Sequence, residues 1–347
     1  MRTRIPALLL LPLQLASGDA PDFNRDIRPI LSDHCFACHG PDEHDRKGEL
    51  RLDTREGALK GGESGETIVP GNPGDSELML RILSANKDEV MPPPKAHKEL
   101  SSTQKDLLSR WITEGAKYAD PWTYVAPKRH SVPPVGMKDW SENWIDNFIL
   151  ARLETEKLKP SLDADPVTLV RRLYFDLVGL PPTGEQIEAF LTDKRPTPEA
   201  VAHLVDQLLD TPYFGERWGR HWLDVSRFSE SNGMERNFTY PHAWRYRDYV
   251  IASFNKDKPY NQFVREQLAG DLLDEEAAPG TSREERMTAT GFLALGPKIL
   301  NERDKVAFKM EMVDEQIDAS TRAVLGLTVS CARCHDHKFD PISIKDY

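Results

Sequence analysis

Residues 35–39 read Cys35-Phe36-Ala37-Cys38-His39, and residues 331–335 repeat the pattern as Cys331-Ala332-Arg333-Cys334-His335. These two sites hold all four cysteines of the 347-residue chain. Thiols three positions apart on a helical turn point to one side, and the histidine that follows can swing its ring over the same side. A zinc site would want its two Cys-x-x-Cys pairs closer together, commonly about 15–20 residues apart; here they lie about 300 apart. A thioredoxin-like pair would want a strand–helix context, and the first motif follows a helical pattern. A simple disulfide at each pair is the remaining plain reading. With histidine at 10 of 347 residues, a chance His after both pairs has odds of about one in a thousand. The pattern points instead to covalent attachment of haem c. Cys35 and Cys38 would add to the two vinyl groups and His39 would face the iron. Cys331, Cys334 and His335 are expected to hold a second haem c in the same way.

A six-coordinate iron needs a further ligand, and Met91 fits. It lies 52 residues after His39, in Met91-Pro92-Pro93-Pro94, a loop that proline stiffens. Met79 falls within a helical pattern and reads as core, while His34, His44 and His97 remain alternatives. The expected metal ligands are therefore His39 and Met91 at the first iron and His335 at the second. No Met-Pro loop follows the second motif. His337, Met310, Met312, a residue beyond the chain's end or an open position could complete that iron.

The N-terminus carries Arg2 and Arg4, then an apolar run from Ile5 to Leu15, then Ala16, Ser17, Gly18 and Ala20. This is the texture of a secretory signal peptide over residues 1–20, too short an apolar run to span a bilayer. The mature protein is expected to be exported, periplasmic or extracellular, with no transmembrane span. Haem c attachment also takes place outside the cytoplasm. The formal charge of −11 argues against nucleic acid as a partner. A redox partner protein is expected.

Apolar residues recur at helical spacing throughout, and strand alternation is hard to find. Phe23, Ile27, Ile30 and Leu31 form one such face, with Pro29 kinking the helix or marking its start. Asp75 reads as the N-cap of a short helix bearing Leu78, Ile82 and Leu83. Ser101 with Gln104 predicts a capping box before Leu107, Leu108, Trp111 and Ile112, and Thr183 with Gln186 predicts another. Gly179-Leu180-Pro181-Pro182 should stop the helix before it. The prolines between residues 119 and 143 read as an extended linker. The fold class is therefore mainly α: a small class I cytochrome c-like helical domain at 21–118, a linker at 119–143, and a second, larger helical domain at 144–347. The chain stops at Tyr347, six residues after Pro341, and reads as C-terminally truncated. Residues 213–249 interleave ten aromatics with six arginines; a buried core with arginines stacked on rings is favoured over a ligand-facing groove.

Two resemblances rest on particular residues. Asp22 to Leu31, Cys35 to Gly40, Val69 to Pro73, Ser76-Glu77-Leu78 and Met91-Pro92-Pro93 resemble the planctomycete-type cytochrome c domain, which implies haem on the first motif and Met91 as axial partner. Ala164-Asp165, Leu169 to Arg172, Asp176 to Pro182, Tyr213 to Trp218, His221 to Asp224 and Cys331 to Pro341 resemble the domain of unknown function fifteen-forty-nine. That resemblance supplies no reaction. The expected function is electron transfer by an exported c-type cytochrome with a second haem near the C-terminus. Two other readings stay open. One is a haem-dependent oxidoreductase, either di-haem peroxidase-like or a dehydrogenase, with the first haem as relay. The other is a glycan- or partner-binding module fused to a cytochrome. Whether the chain is an enzyme is left open by the sequence.

Overall fold

The computed structural model describes residues 20–63, 65–234, 236–337 and 339–347. The signal-peptide segment expected at 1–20 lies outside them, apart from Ala20. The chain is 52% helical, with no strands among the described residues. No helix there is long and apolar enough to cross a membrane. The contacts divide the chain into two units: residues up to Lys128 together with Cys331–Tyr347, and Arg129–Ser330.

In the first unit a wide turn at Phe23–Ile27 runs into α1, Arg28–His34. Pro29 sits in the first turn of α1, where its missing N–H costs nothing. The α-helical part of the run thus begins next to Pro29, directly after the π-helical turn. After α1 come α2 (Phe36–His39), α3 (Arg55–Lys60), α4 (Glu77–Leu83) and α5 (Ser102–Thr113). The capping box of Ser101 and Gln104 closes the start of α5 as the sequence predicts. Asp75 does not cap α4. It ends a 3₁₀ turn, Pro73–Asp75, where its carboxylate accepts from the Asn72 amide at 2.5 Å, and Ser76 takes the cap position. Phe23, Ile27, Leu31, Leu52, Ile82, Leu108 and Trp111 form one buried core. Phe23 from the first turn packs on Trp111 of α5 at 5.8 Å and on Tyr118 at 4.4 Å between ring centres. Met79 is buried in that core, as its helical register predicts.

The second unit begins on a strap without helix that runs into α6, Trp144–Thr155. The Glu154 carboxylate accepts from the backbone N–H groups of Gly136 and Met137, and the Asn147 amide donates to the Pro133 carbonyl. The strap is thus tied to α6. Next come α7 (Pro166–Leu177), α8 (Gly184–Leu191) and α9 (Thr197–Leu209). Gly179 ends α7 with a φ of 72°, its N–H reaching the Tyr174 carbonyl at 3.0 Å. The Thr183–Gln186 capping box opens α8. Val170, Tyr174, Leu204 and Leu208 bury the α7–α9 seam.

Further helices are α10 (Pro212–Val225), α11 (Ala243–Asn255), α12 (Tyr260–Ala269), α13 (Arg283–Ala289), α14 (Gly291–Ala294) and α15 (Lys305–Ser320). Gly215 lets α10 and α11 cross closely, since a Cβ there would meet the Ile251 carbonyl oxygen at 2.5 Å. Trp222, Tyr246, Tyr249, Val250, Phe263 and Phe292 make the main core of this unit.

That core answers the question raised by the aromatic stretch. Trp222, Tyr246 and Tyr249 are buried, while Tyr213, Trp218, Phe238 and Trp244 remain exposed. The buried rings carry a polar chain: the Trp222 indole N–H donates to the Tyr246 hydroxyl, which donates to the Gln267 carbonyl oxygen at 2.6 Å. Stacking of cations on rings is present too, with Arg227 over Phe292 and Arg245 over Trp244.

The last segment behaves differently from its place in the sequence. Cys331–Tyr347 follows the second unit along the chain but packs with the first. Sequence order assigned it to the larger domain. The Arg28 guanidinium donates to the Phe339 carbonyl at 2.5 Å, a contact across 311 positions that no local pattern announces.

Candidate functional site

The first motif is built at the junction of α1 and α2. The Cys35 N–H closes the last turn of α1 on the Leu31 carbonyl at 2.8 Å. The Cys35 carbonyl then accepts from Cys38 N–H at 3.1 Å and from His39 N–H at 2.8 Å. One tight turn of backbone therefore carries both cysteines and the histidine. Cys35 is half-buried against the hydrophobic core, whereas Cys38 is exposed. Burial pushes the Cys35 thiol up to about 12, with the charge of Lys98 opposing. All four cysteines are free thiols.

The loop after α2 folds back on this turn. Lys47 N–H donates to the Cys38 carbonyl, and Leu52 N–H to the His39 carbonyl, both at 2.8 Å. The same loop sets the histidine, whose Nδ1 lies 3.1 Å from the Lys47 carbonyl oxygen. A carbonyl can only accept, so Nδ1 carries the proton and Nε2 presents its lone pair. Burial holds the His39 imidazole below the usual histidine range, against the pull of that carbonyl. A neutral ring with one nitrogen anchored to the backbone is the form that ligates a metal.

Met91 is half-buried after α4, and its N–H donates to the Arg81 carbonyl at 3.2 Å. The Met91–Pro92 peptide is cis. Of the other candidates at this iron, His34 is committed elsewhere. Its Nδ1 donates to the Lys98 carbonyl, and its Nε2 accepts from the Gln104 amide at 3.3 Å. His44 and His97 are both exposed.

The second motif lies on a 3₁₀ turn, Val329–Arg333, and is more open. Cys331, Cys334 and His335 are exposed, with Ala332 buried beneath them. His335 Nδ1 donates to the Asp336 carbonyl at 2.9 Å, which again leaves Nε2 with the lone pair. His337 has the opposite arrangement. It is buried, and its Nδ1 accepts from the backbone N–H groups of Phe339 at 3.2 Å and Asp340 at 2.9 Å. Its proton must then sit on Nε2, so this imidazole fixes a turn and has no lone pair to give an iron. The Asp336 carboxylate accepts from Ile344 N–H at 2.8 Å, and His337 N–H reaches the Ile342 carbonyl. These bonds wind residues 336–337 and 339–344 into a compact hook. Among the described residues there is no cluster of three or more His, Cys, Asp or Glu side chains of the kind that holds a bare metal ion.

The second unit carries a groove of about 840 Å³ between α11 and α13, bordered by Trp244, Arg245, Asp248, Glu285 and Met287.

The model of the family described as Planctomycete cytochrome C matches residues 35–95, from the first cysteine past Met91. A second, described as Protein of unknown function (DUF1549), matches residues 144–347, more than half of the chain. The chain belongs to the DUF1549 family. Its DUF1549 part follows a haem-binding domain of cytochrome type, in the order the sequence implied. The DUF1549 match runs through the second Cys-x-x-Cys-His motif, while the folding unit of that motif is the cytochrome one. No curated protein and no solved structure matches the chain significantly.

The residues of the first motif fit haem c. Two free thiols flank one turn, and the imidazole is held in the tautomer that leaves Nε2 for iron. Sequence reasoning could not find the backbone partners that set these rings, because a carbonyl has no residue-type signature.

Proposed function

We propose that this DUF1549 protein is an exported c-type cytochrome whose activity is electron transfer. Cys35 and Cys38 carry the first haem as thioethers, His39 is its proximal ligand, and Met91 completes the iron. Cys331, Cys334 and His335 carry a second haem. Bound haem supplies a one-electron couple; the chain sets its position, ligands and exposure. The observation that carries the reading is the bond from His39 Nδ1 to the Lys47 carbonyl, which fixes the ring and raises its basicity as a ligand. Met91 as a thioether ligand would raise the potential relative to two histidines. The partner is a redox protein, and a formal charge of −11 suits one with a basic docking face.

The exposure of Cys334 and His335 favours one second reading. An open iron at that motif would make the protein an oxidoreductase with the first haem as relay, since substrate can reach only a metal with a free position. The test is to express the full chain with haem-maturation machinery and export. Pyridine haemochrome quantitation and intact mass then count the haems, and Cys35→Ala with Cys38→Ala should remove one of two. An unchanged haem count in that variant would overturn the first site. A high-spin signal on the second haem would select the oxidoreductase.

A further inference from the structure

The second motif sits at the far end of the chain from the first, yet both fold into one unit. The joint is made on the helix that leads to the first motif. Arg28, the first residue of α1, donates to the Phe339 carbonyl in the hook that follows the second motif. Seven positions of helix separate Arg28 from Cys35, a rise of ~10 Å. Four positions separate His335 from Phe339, at most ~14 Å of chain. The joint thus lies within a short reach of both motifs.

The charges around it agree. The Arg28 guanidinium is half-buried, and burial lowers its pKa while Asp340 and Asp53 support its charge. Arg51 pairs with Asp53 through two bonds, and the carboxylate of Asp336 is among the further charges that favour its cationic form. Arg51 directly precedes Leu52, whose N–H holds the His39 carbonyl. Asp336 directly follows His335. The backbone next to each proximal histidine therefore carries one member of an opposite-charge set. The hook is closed on itself by hydrogen bonds, with His337, Asp336 and Asp346 each accepting from backbone N–H groups within it.

We propose that Arg28 clamps the second Cys-x-x-Cys-His segment onto the cytochrome unit, so that haems on the two motifs exchange electrons directly within one folded body. This rests on the two-haem reading above. With haem bound at both motifs, such an exchange would take one electron from a ferrous site to a ferric one, with no bond made or broken and no proton moved. A one-electron donor protein supplies the electron from outside. Arg28 is a positioning residue: it touches neither iron and acts through the Phe339 backbone.

The experiment uses the matured full chain and reads the electron paramagnetic resonance of the first haem. A nearby paramagnetic iron speeds its relaxation, so the microwave power at half-saturation should be several-fold higher in the wild type than in Cys331→Ser with Cys334→Ser. Arg28→Ala should move that value toward the single-haem variant. Arg28→Lys, which keeps a donor for the carbonyl, should restore much of it. Circular dichroism separates clamp loss from unfolding, and Asp340→Asn weakens the same joint without touching α1. Should Arg28→Ala fail to fold, Asp340→Asn carries the test and should shift relaxation in the same direction.

The outcomes separate the two claims. A mass showing one haem would overturn the two-haem reading and the pairing with it. Two haems with the same saturation in wild type and single-haem variant would overturn the pairing and leave the two-haem reading standing. Paired haems with relaxation unmoved by Arg28→Ala and Asp340→Asn would overturn the clamp.

Discussion

The Nδ1 of His39 lies 3.1 Å from the carbonyl oxygen of Lys47. That single bond decides which ring nitrogen can reach an iron. His335 repeats it with the carbonyl of Asp336, and His337, two positions on, reverses it by accepting backbone N–H groups. Two histidines two positions apart are thus sorted into a form with a free Nε2 lone pair and a turn-fixing form by backbone partners alone.

Met91→Ala should open the first iron. The sulfur-to-iron charge-transfer band should vanish, and the potential should fall by a fraction of the ~0.8 V range that axial ligands set. Spectroelectrochemistry of the matured chain reads both. An unchanged band would move the sixth ligand to another residue, with exposed His97 the next variant.

His337→Ala should leave the second haem's spectrum as it is, since its Nε2 bears the proton. The Phe339 and Asp340 N–H groups would lose their acceptor, at a cost of about 1–3 kcal/mol if they stay dry. Amide exchange in residues 336–344 should quicken. A changed Soret or low-spin signature would instead make His337 a ligand.

Glu266 is fully buried, and it accepts from Lys258 at 2.5 Å, from the Tyr249 hydroxyl at 2.6 Å and from the Gln262 amide at 2.8 Å. Burial alone would raise its pKa, but the bonds from Lys258, Tyr249 and Gln262 outweigh it and hold the carboxyl below its ordinary 4.5. A lowered folded pKa means the carboxylate adds stability above the unfolded value. That stability should fade as pH drops below about 4.5 through the folded pKa. Glu266→Gln leaves Lys258 without its counter-charge and should cost about 3–5 kcal/mol. Thermal unfolding of both proteins at pH 7 and pH 4 checks this, and the gap between them should narrow at the lower pH.

Gly215→Ala should destabilise the α10–α11 crossing by about 1–3 kcal/mol. The new Cβ would meet the Ile251 carbonyl oxygen and the Asn255 amide at 2.5–2.6 Å, and the helices would have to part. Gly184→Ala, where a Cβ meets nothing within 4 Å, should be neutral or stabilising and serves as the control in urea unfolding.

Local chemistry was legible along the chain, and the tertiary contacts were not. The capping boxes at Ser101–Gln104 and Thr183–Gln186 need only residues three apart, so the sequence determined where α5 and α8 begin. Helical apolar spacing gave the fold class, and the two Cys-x-x-Cys-His motifs gave the haem-binding reading, because each works within one turn of backbone. The N-cap of α4 escaped, since Asp75 can satisfy either a cap or a 3₁₀ turn and packing chose the turn. Only the folded backbone decided the tautomers of His39, His335 and His337: a returning loop brings the Lys47 carbonyl to His39, and at His335 and His337 a local turn aims backbone groups one to three positions away. The tertiary structure alone decided that Cys331–Tyr347 packs with the cytochrome unit. That placement includes Arg28 meeting a carbonyl 311 positions away, and a carbonyl looks the same in every residue.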